Sequence, residues 1–197
     1  MGHIIAGVSR KLGGGGVTSV GDTFNRSNDA TGLGTSDSGH LWTNRQGVIG
    51  ITSNRAALIS KTVVNTLDGA IATVDYGSGD CAIQVTMPTM LASNQTTGII
   101  FRFSDTSNYW YAFLEWASDT VKLYRMQSGG FSSVASVSDA VADNDVLKVT
   151  LSGTSIQVRV NNVLQISHTS SHNQTADKHG LAGQSTNSRW DSFSIVP

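Results

Sequence analysis

The regular alternation of apolar and polar residues in two late segments limits most strongly what this chain can fold into. In VLKVTLSG, residues 146–153, and SIQVRVNNVLQIS, residues 155–167, Leu, Val or Ile returns at every second position over most of the length. Successive side chains of a β-strand point to opposite faces, so both segments are predicted to be strands with one buried face. Asn161 and Asn162 interrupt the second segment and suit the positive φ angles of a tight hairpin turn.

Shorter stretches of the same kind recur along most of the chain, separated by clusters of Gly, Ser, Asn and Asp. They predict roughly ten to twelve strands, and no segment has the pattern of an amphipathic helix. In GIIFRFSD, residues 98–105, alternation places Phe101 and Phe103 toward the core and Arg102 toward solvent.

The segment NYWYAFLEW, residues 108–116, is apolar on both faces. Alternation places Tyr109 and Tyr111 on one face and Trp110 on the other. A strand with two apolar faces is expected between two layers, as a central strand of a sandwich is. The predicted fold class is therefore all-β, an antiparallel sandwich of two sheets.

The composition excludes several classes of function. Charged residues make up 14% of the chain, and 21 glycines with many Ser, Thr and Asn residues take their place. The net charge of −1 and the lack of a basic stripe predict no nucleic-acid partner. The single cysteine, Cys81, excludes an internal disulfide and is expected to be a small buried side chain. No apolar run approaches the roughly 20 residues of a membrane span, so no membrane insertion is expected.

Residues 1–21 are interpreted as a flexible arm that precedes one domain, residues 22–197. The arm has an apolar patch and two cations, followed by four consecutive glycines. It lacks the pattern of a secretion signal. We expect it to dock on another protein during assembly, with a frayed terminus as the alternative. The residues assigned to docking are Ile4, Ile5, Val8, Arg10 and Lys11.

Several motifs occur in an order that resembles a known family. The segment 22–42, DTFNRSNDATGLGTSDSGHLW, has an Asp-x-Phe-x-Arg strand, a Gly-Leu-Gly turn and a Trp. GIIFRFSDTSNYWYAFLEW, VKLYRMQSGGFSSVA, LKVTLSGTSIQVRVNNVLQ and HGLAGQSTNSRWDSFSIV follow it. Together they resemble the concanavalin A-like (laminin-G-like) jelly rolls of lectins and glucanases from residue 22 to residue 197. The Phe-Asn-Arg opening and the Gly-rich arm are similar to minor tail proteins of actinobacterial phages.

A closed jelly roll brings its first and last strands together. Phe24 and Phe193 are then expected to meet in the core between the sheets. Trp42 and Trp190 are expected to close the ends of the sandwich, each burying about 200 Å². The polar stretch between Phe24 and Trp42 is interpreted as a loop around the sandwich edge.

Catalytic patterns are missing, so no catalytic residue is assigned and the chain is predicted not to be an enzyme. The jelly-roll glucanases resemble one another through a strand with closely spaced Glu, Asp and Glu, because glycoside hydrolysis uses two carboxylates. This chain has a single glutamate, Glu115. His168, His172 and His179 lie in a polar stretch that is interpreted as a surface loop, with a metal site as the alternative.

No cofactor is expected to be required, and calcium is the candidate ion. Jelly rolls of this type often hold the ion through Asp side chains and backbone carbonyls. Asp22 and Asp191 are expected near each other if the terminal strands pair. Asp105 and Asn108 form a second oxygen-rich group, and the alternative for them is a simple turn between two strands.

Glycan binding needs an aromatic surface for a sugar ring and planar polar groups for its hydroxyls. The alternative for the same residues is a solvated sheet face with aromatic cross-strand pairs. The candidates are Arg102, Tyr109, Tyr111, Glu115, Trp116, Tyr124 and Arg125.

The function predicted from these features is that of a non-catalytic virion protein of a phage, associated with the tail. It presents a lectin-like domain to glycans of the host surface, and copies in a trimer or ring supply avidity. A capsid decoration or a purely structural tail protein without ligand is the first alternative, and a glycan-active enzyme is the second.

Overall fold

The computed structural model describes residues 18–62, 68–88 and 96–197. Within these ranges the chain forms sixteen β-strands and one short 3-10 helix, η1 (Trp116–Ser118), and the strands pair in three antiparallel sheets. The terminal sheet has the order β1 (Val20–Asp22), β16 (Ser192–Val196), β6 (Cys81–Met87), β11 (Asp145–Ser152), β12 (Ser155–Val160) and β13 (Val163–Thr169). The large sheet has the order β10 (Gly130–Ser138), β9 (Thr120–Gln127), β8 (Asn108–Glu115), β7 (Thr96–Asp105), β14 (Lys178–Gly183), β5 (Ala70–Asp75) and β2 (Thr43–Gln46). The small sheet has the order β15 (Arg189–Trp190), β4 (Arg55–Ser60) and β3 (Val48–Thr52).

The alternating segments form the terminal sheet as predicted. In β11 the side chains of Leu147, Val149 and Leu151 are buried, and the residues between them are half-buried. Full burial of each such side chain stabilises the fold by about 1.5–3 kcal/mol. β12 and β13 form a hairpin whose turn residues, Asn161 and Asn162, have φ angles of 49° and 67°. The predicted Asn-Asn turn is confirmed.

The large sheet is apolar on both faces around β8, as the sequence predicted. Trp110 and Leu114 pack in the core between the sheets, whereas Tyr109, Tyr111 and Phe113 pack in a second cluster on the opposite face. All five side chains are fully buried. The second cluster contains most of the aromatic residues that the sequence suggested for glycan binding.

The predicted alternation fails in β7, next to Arg102. This residue has a φ of +47°, and the pairing of β7 with β8 is irregular between Phe101 and Asp105. The irregularity shifts the phase of the strand, so Phe101 faces the core and Phe103 faces the opposite side. Arg102 was expected in solvent, and instead its side chain is fully buried. A local backbone irregularity of this kind leaves no signature in the order of apolar and polar residues.

The opening segment is anchored as expected. β1 pairs with β16, and Trp42 lies between Phe24 and Phe193, with ring centroids 6.0 Å and 5.0 Å away. The buried carboxylate of Asp22 accepts hydrogen bonds from Trp42 Nε1 at 2.8 Å and from the guanidinium of Arg26 at 2.7 Å. The hydrogen bond to Asp22 raises the pKa of Arg26, so the ion pair is maintained. Phe24 and Phe193 therefore belong to one cluster through Trp42.

The boundary between the arm and the domain differs from the one expected. The first strand begins at Val20, inside the range assigned to the arm. The docking residues Ile4, Ile5, Val8, Arg10 and Lys11 lie outside the described residues.

The described chain also has more strands than the sequence predicted, because strands as short as β15 and β1 do not show alternation. Among the described residues, no helix is both long and apolar enough to cross a membrane.

Candidate glycan-binding site

An exposed tryptophan follows the last residue of β8. Trp116 begins η1, and 36% of its surface is exposed. Every other Phe, Tyr and Trp of the described residues is buried or half-buried. The turn is held in place from two sides: the N–H of Asp119 donates to the carbonyl of Trp116 at 3.4 Å, and the N–H of Asp139 donates to the carbonyl of Asp119 at 2.9 Å. The indole therefore stands on a fixed backbone.

Charged and hydroxyl side chains lie on the same turn and on the strands next to it. The carboxylate of Glu115 pairs with the ammonium of Lys122 and accepts a hydrogen bond from the hydroxyl of Ser118. The Ser118 hydroxyl is also 2.6 Å from that of Thr120. Burial acts to raise the pKa of Glu115, but the hydrogen bonds from Lys122 and Ser118 outweigh it and lower the pKa. The carboxylate is therefore ionised near neutral pH and can accept hydrogen bonds from sugar hydroxyls.

Tyr109 and Tyr111 do not reach the surface, which corrects the expectation that they lie on a solvated face. Both are fully buried in the aromatic cluster of the large sheet. The ring of Tyr111 is 4.6 Å from that of Phe113, and its hydroxyl donates to the carbonyl of Ala182 at 3.0 Å. Burial raises the pKa of Tyr111 well above its ordinary value. Tyr124 is half-buried at the edge of the same cluster, with its ring 5.3 Å from Phe113.

The two arginines of the predicted site lie away from Trp116. Arg125 is opposite Trp110 in the pairing of β8 with β9, so it projects from the face opposite to Tyr124. Arg102 is near the other end of the large sheet. Its guanidinium donates to the carbonyls of Gly79 at 3.2 Å and Gly153 at 2.6 Å. Of the seven predicted residues, the structure brings Glu115 and Trp116 together at the surface.

The residues predicted for calcium are engaged with other groups. Asp22 binds Arg26 and Trp42, and Asp191 forms an ion pair with Arg55 at 3.4 Å.

The carboxylate of Asp105 accepts hydrogen bonds from Ser107 N–H at 2.7 Å and from the Asn108 amide at 3.0 Å, as the turn alternative predicts. No group of three or more His, Cys, Asp or Glu side chains suited to a metal occurs in the described ranges. Calcium binding stays a prediction.

The histidine-rich stretch is less exposed than the sequence suggested. His179 lies in β14 and is fully buried. His168 and His172 flank the ring of Trp110, with centroids at 5.6 Å and 5.9 Å. The surface-loop interpretation is therefore wrong for His168, which lies in β13, and for His179, whereas His172 lies in a half-buried turn between β13 and β14. The order of the histidines in the sequence does not show that β14 provides a buried position or that Trp110 packs beside two of the rings.

Lys122 is the residue of this site that the sequence analysis did not name. It lies on β9 between the buried residues Val121 and Leu123. The pairing of Glu115 with Thr120 places Lys122 two residues farther along the neighbouring strand. A predicted hairpin with this register would have indicated the contact.

Comparison with known proteins identifies the fold. The sequence matches no family model and no curated protein. A β-glucanase from Bacillus licheniformis aligns with a TM-score of 0.60 and 15% identity, over 94% of this chain and 100% of the glucanase. The carbohydrate binding module CBM66 from Bacillus subtilis aligns with a TM-score of 0.51 and 17% identity, over 78% of this chain and 90% of the module.

The GH43 BlXynB protein from Bacillus licheniformis also aligns, with a TM-score of 0.60 and 14% identity. The alignment covers 90% of this chain and 39% of that protein. At such identities the similarity shows the fold alone. The predicted jelly-roll β-sandwich of the concanavalin A-like type is confirmed.

Proposed function

We propose that this chain is a non-catalytic glycan-binding protein and that the turn around Trp116 contacts the sugar. The observation that carries the proposal is the exposed indole on a fixed turn that directly follows Glu115, whose carboxylate pairs with Lys122. An indole face can stack on the apolar face of a pyranose ring, and the neighbouring charged groups can bind its hydroxyls. The names of the similar structures, a glucanase and a carbohydrate binding module, support a sugar as the ligand class.

The chemistry of Glu115 supports a binding role rather than hydrolysis. A general acid in a glycoside hydrolase needs a raised pKa, so that it carries a proton near neutral pH. The hydrogen bonds from Lys122 and Ser118 act in the opposite direction and lower the pKa of Glu115. The chain has no second glutamate to complete a pair.

The proposed biological setting is a phage virion, with the domain associated with the tail. The Phe-Asn-Arg opening and the Gly-rich segment before it support this setting, since both are similar to minor tail proteins of actinobacterial phages. A single indole with a few polar groups binds a sugar weakly. Several copies, held together through residues 1–17, would raise the avidity by a large factor when the surface carries repeated glycans.

Replacement of Trp116 tests the binding site. The chain and its Trp116→Ala variant are compared for binding to immobilised bacterial surface polysaccharides. Loss of a central tryptophan contact of about 2 kcal/mol corresponds to about 30-fold weaker binding. The matched control is Leu41→Ala, because Leu41 is 67% exposed and lies in the opening loop. Equal binding by the Trp116 variant, or no binding by the parent chain, contradicts the proposal.

Two further measurements test the absence of hydrolysis and the association of several copies. Release of reducing ends from the bound polysaccharide is expected to stay at the level without protein, and release that depends on Glu115 would show a hydrolase. The solution mass is measured for the full chain and for a chain that begins at residue 18. We expect an oligomer for the first and a monomer for the second, because the shortened chain keeps β1 intact.

A further inference from the structure

A polar cavity lies at the other end of the large sheet from Trp116. Its volume is about 290 Å³, and it opens between the loop after β5 and the loop before β14. The cavity is at the Asn108 end of β8 and Trp116 is at the Glu115 end, so the length of β8 separates them by about 25 Å. The lining residues are Gly77, Ser78, Gly79, Asp80, Gln174 and Thr175.

The first wall of the cavity is held by the buried guanidinium of Arg102. Arg102 binds the carboxylate of Asp80 at 3.1 Å and the carbonyl of Gly79 at 3.2 Å. The N–H of Gly153 also donates to the Asp80 carboxylate at 3.0 Å. Arg102 thus fixes the loop after β5 against the turn between β11 and β12. Asp80 itself stays 55% exposed, so its carboxylate can still accept hydrogen bonds from a ligand.

The second wall is held against the first. The amide of Asn173 donates to the carbonyl of Arg102 at 3.1 Å, and the N–H of Tyr76 donates to the carbonyl of Asp177 at 3.0 Å. The two loops touch at Gly79, where an added Cβ would lie 2.2 Å from the carbonyl oxygen of Gln174. Both walls are therefore in place before a ligand arrives, which lowers the entropy cost of binding.

Two polar side chains of the lining are available for a ligand. Gln174 is half-buried and Thr175 is exposed, and neither side chain has a hydrogen-bond partner in the described part of the chain. An amide and a hydroxyl can each donate and accept hydrogen bonds. The Asp80 carboxylate is a further acceptor, and the backbone of Gly77, Ser78 and Gly79 also lines the cavity. The lining therefore matches a ligand with several hydroxyl groups.

The charges of the cavity select against ions. A cation would meet one carboxylate, that of Asp80, whose charge is already balanced by Arg102. Calcium needs six to eight oxygen ligands, usually with more than one carboxylate. An anion would be repelled by the same carboxylate. The guanidinium of Arg102 does not offset this repulsion, because it is fully buried and bound to the loop carbonyls. A neutral polar molecule meets neither penalty.

We propose that this cavity binds one neutral sugar or polyol residue, with Asp80, Gln174 and Thr175 as its hydrogen-bond partners. The site deepens the proposed glycan-binding function, and it does not depend on Trp116. A glycan chain or two separate glycans can thus be held at both ends of the domain.

The test uses the full chain labelled with 15N and three probes, methyl β-D-glucopyranoside, methyl β-D-galactopyranoside and methyl α-D-mannopyranoside. Each probe is raised to about 50 mM, because a sugar held by a few hydrogen bonds binds in the millimolar range. We expect at least one probe to shift the backbone amide signals of Gly77, Gly79, Gln174 and Thr175. Gln174→Ala and Thr175→Ala are each expected to weaken this binding about three- to tenfold.

Gln127→Ala is the matched control, since Gln127 is exposed at the end of β9 and does not line the cavity. The dissociation constant of this variant for the bound glycoside is expected to equal that of the parent chain. Trp116→Ala is expected to leave these shifts unchanged. Shifts confined to the Trp116 turn overturn this second site and leave the first proposal standing. The cavity proposal is also overturned if no probe shifts the signals of the cavity residues. The same holds if calcium chloride or sodium sulfate shifts them and the glycosides do not.

Discussion

Lowering the pH is expected to destabilise the domain through His179. Its ring is fully buried between β14 and the loop after β5. Nδ1 accepts a hydrogen bond from the N–H of Arg102 at 3.1 Å, and Nε2 lies 2.9 Å from the carbonyl of Ser78. These partners assign the proton to Nε2 and a lone pair to Nδ1. A second proton on Nδ1 would point at the N–H of Arg102 and break that hydrogen bond.

The surroundings of the ring determine the size of the effect. Burial lowers the pKa of His179 from 6.5 to about 4, and the nearby Arg102 guanidinium acts in the same direction. Each unit of difference between the folded and unfolded pKa corresponds to about 1.4 kcal/mol, so the difference is worth about 3 kcal/mol. The other titratable side chains near the ring are Tyr76, Cys81 and Asp177. Burial raises the pKa of Cys81 to about 12, so the thiol stays uncharged over this range.

The sign follows from the lowered pKa. Between pH 6.5 and pH 4 the unfolded chain binds a proton at this histidine and the folded chain does not. The contribution of His179 is therefore complete above pH 6.5, and it is lost as the pH falls toward 4. Below that pH both states are protonated and the contribution of this group stays constant.

Urea unfolding at pH 7, pH 5.5 and pH 4 measures the effect. The free energy of unfolding of the parent chain is expected to fall by about 3 kcal/mol more than that of His179→Gln, because glutamine does not titrate. His40→Gln is the matched control, since His40 is half-buried in the opening loop. Should His179→Gln fail to fold, an NMR titration of the His179 ring in the parent chain gives its pKa directly. A pKa near 6.5, or equal pH dependence of parent and variant, refutes the reasoning.

Five further substitutions, at four positions, test the packing. Gly98→Ala places a Cβ 2.1 Å from the carbonyl oxygen of Ala112 and is expected to cost about 2–3 kcal/mol. Gly21→Ala, with no atom within 4 Å of its Cβ, should change urea unfolding by less than about 0.5 kcal/mol. Asn162→Val forces a β-branched residue to a φ of 67° and is expected to lower the free energy of unfolding by about 1–2 kcal/mol. Asn162→Gly is its control and should differ from the parent by a few tenths of a kcal/mol in thermal unfolding. Arg102→Lys keeps the charge but loses the planar set of donors, so a loss of about 2–4 kcal/mol is expected, and an unchanged urea midpoint would contradict the structural role of Arg102.

The candidate site was predicted in part. The sequence named Glu115 and Trp116 as polar and aromatic candidates on a face outside the core, and the structure places them at the end of β8 and the start of the turn that follows it. It also named Tyr109 and Tyr111, whose exposure depends on what covers the far face of the large sheet. Alternation tells which residues share a face, but it does not tell whether that face is solvated.

The role of Arg102 was missed for a different reason. Its three loop partners, Gly79, Asp80 and Gly153, are separated from it by more than twenty residues in the sequence. Contacts of this kind depend on the way the sheets pack. No local pattern around Arg102 distinguishes a buried arginine that ties loops together from a solvated one on a sheet face.

The fold class and the Asn161–Asn162 hairpin turn could be predicted from the sequence alone, because period-two alternation and the φ preference of asparagine are local properties of the chain. The packing of Phe24 and Phe193 around Trp42 was expected from the closed jelly roll that the motifs resemble, since it requires the first and last strands to pair. Which sheet faces are covered, where β7 changes phase and which loops meet became clear in the folded molecule. These depend on contacts between residues far apart in the sequence, so the burial of His179 and the formation of the polar cavity beside Asp80 could be established from the folded molecule alone.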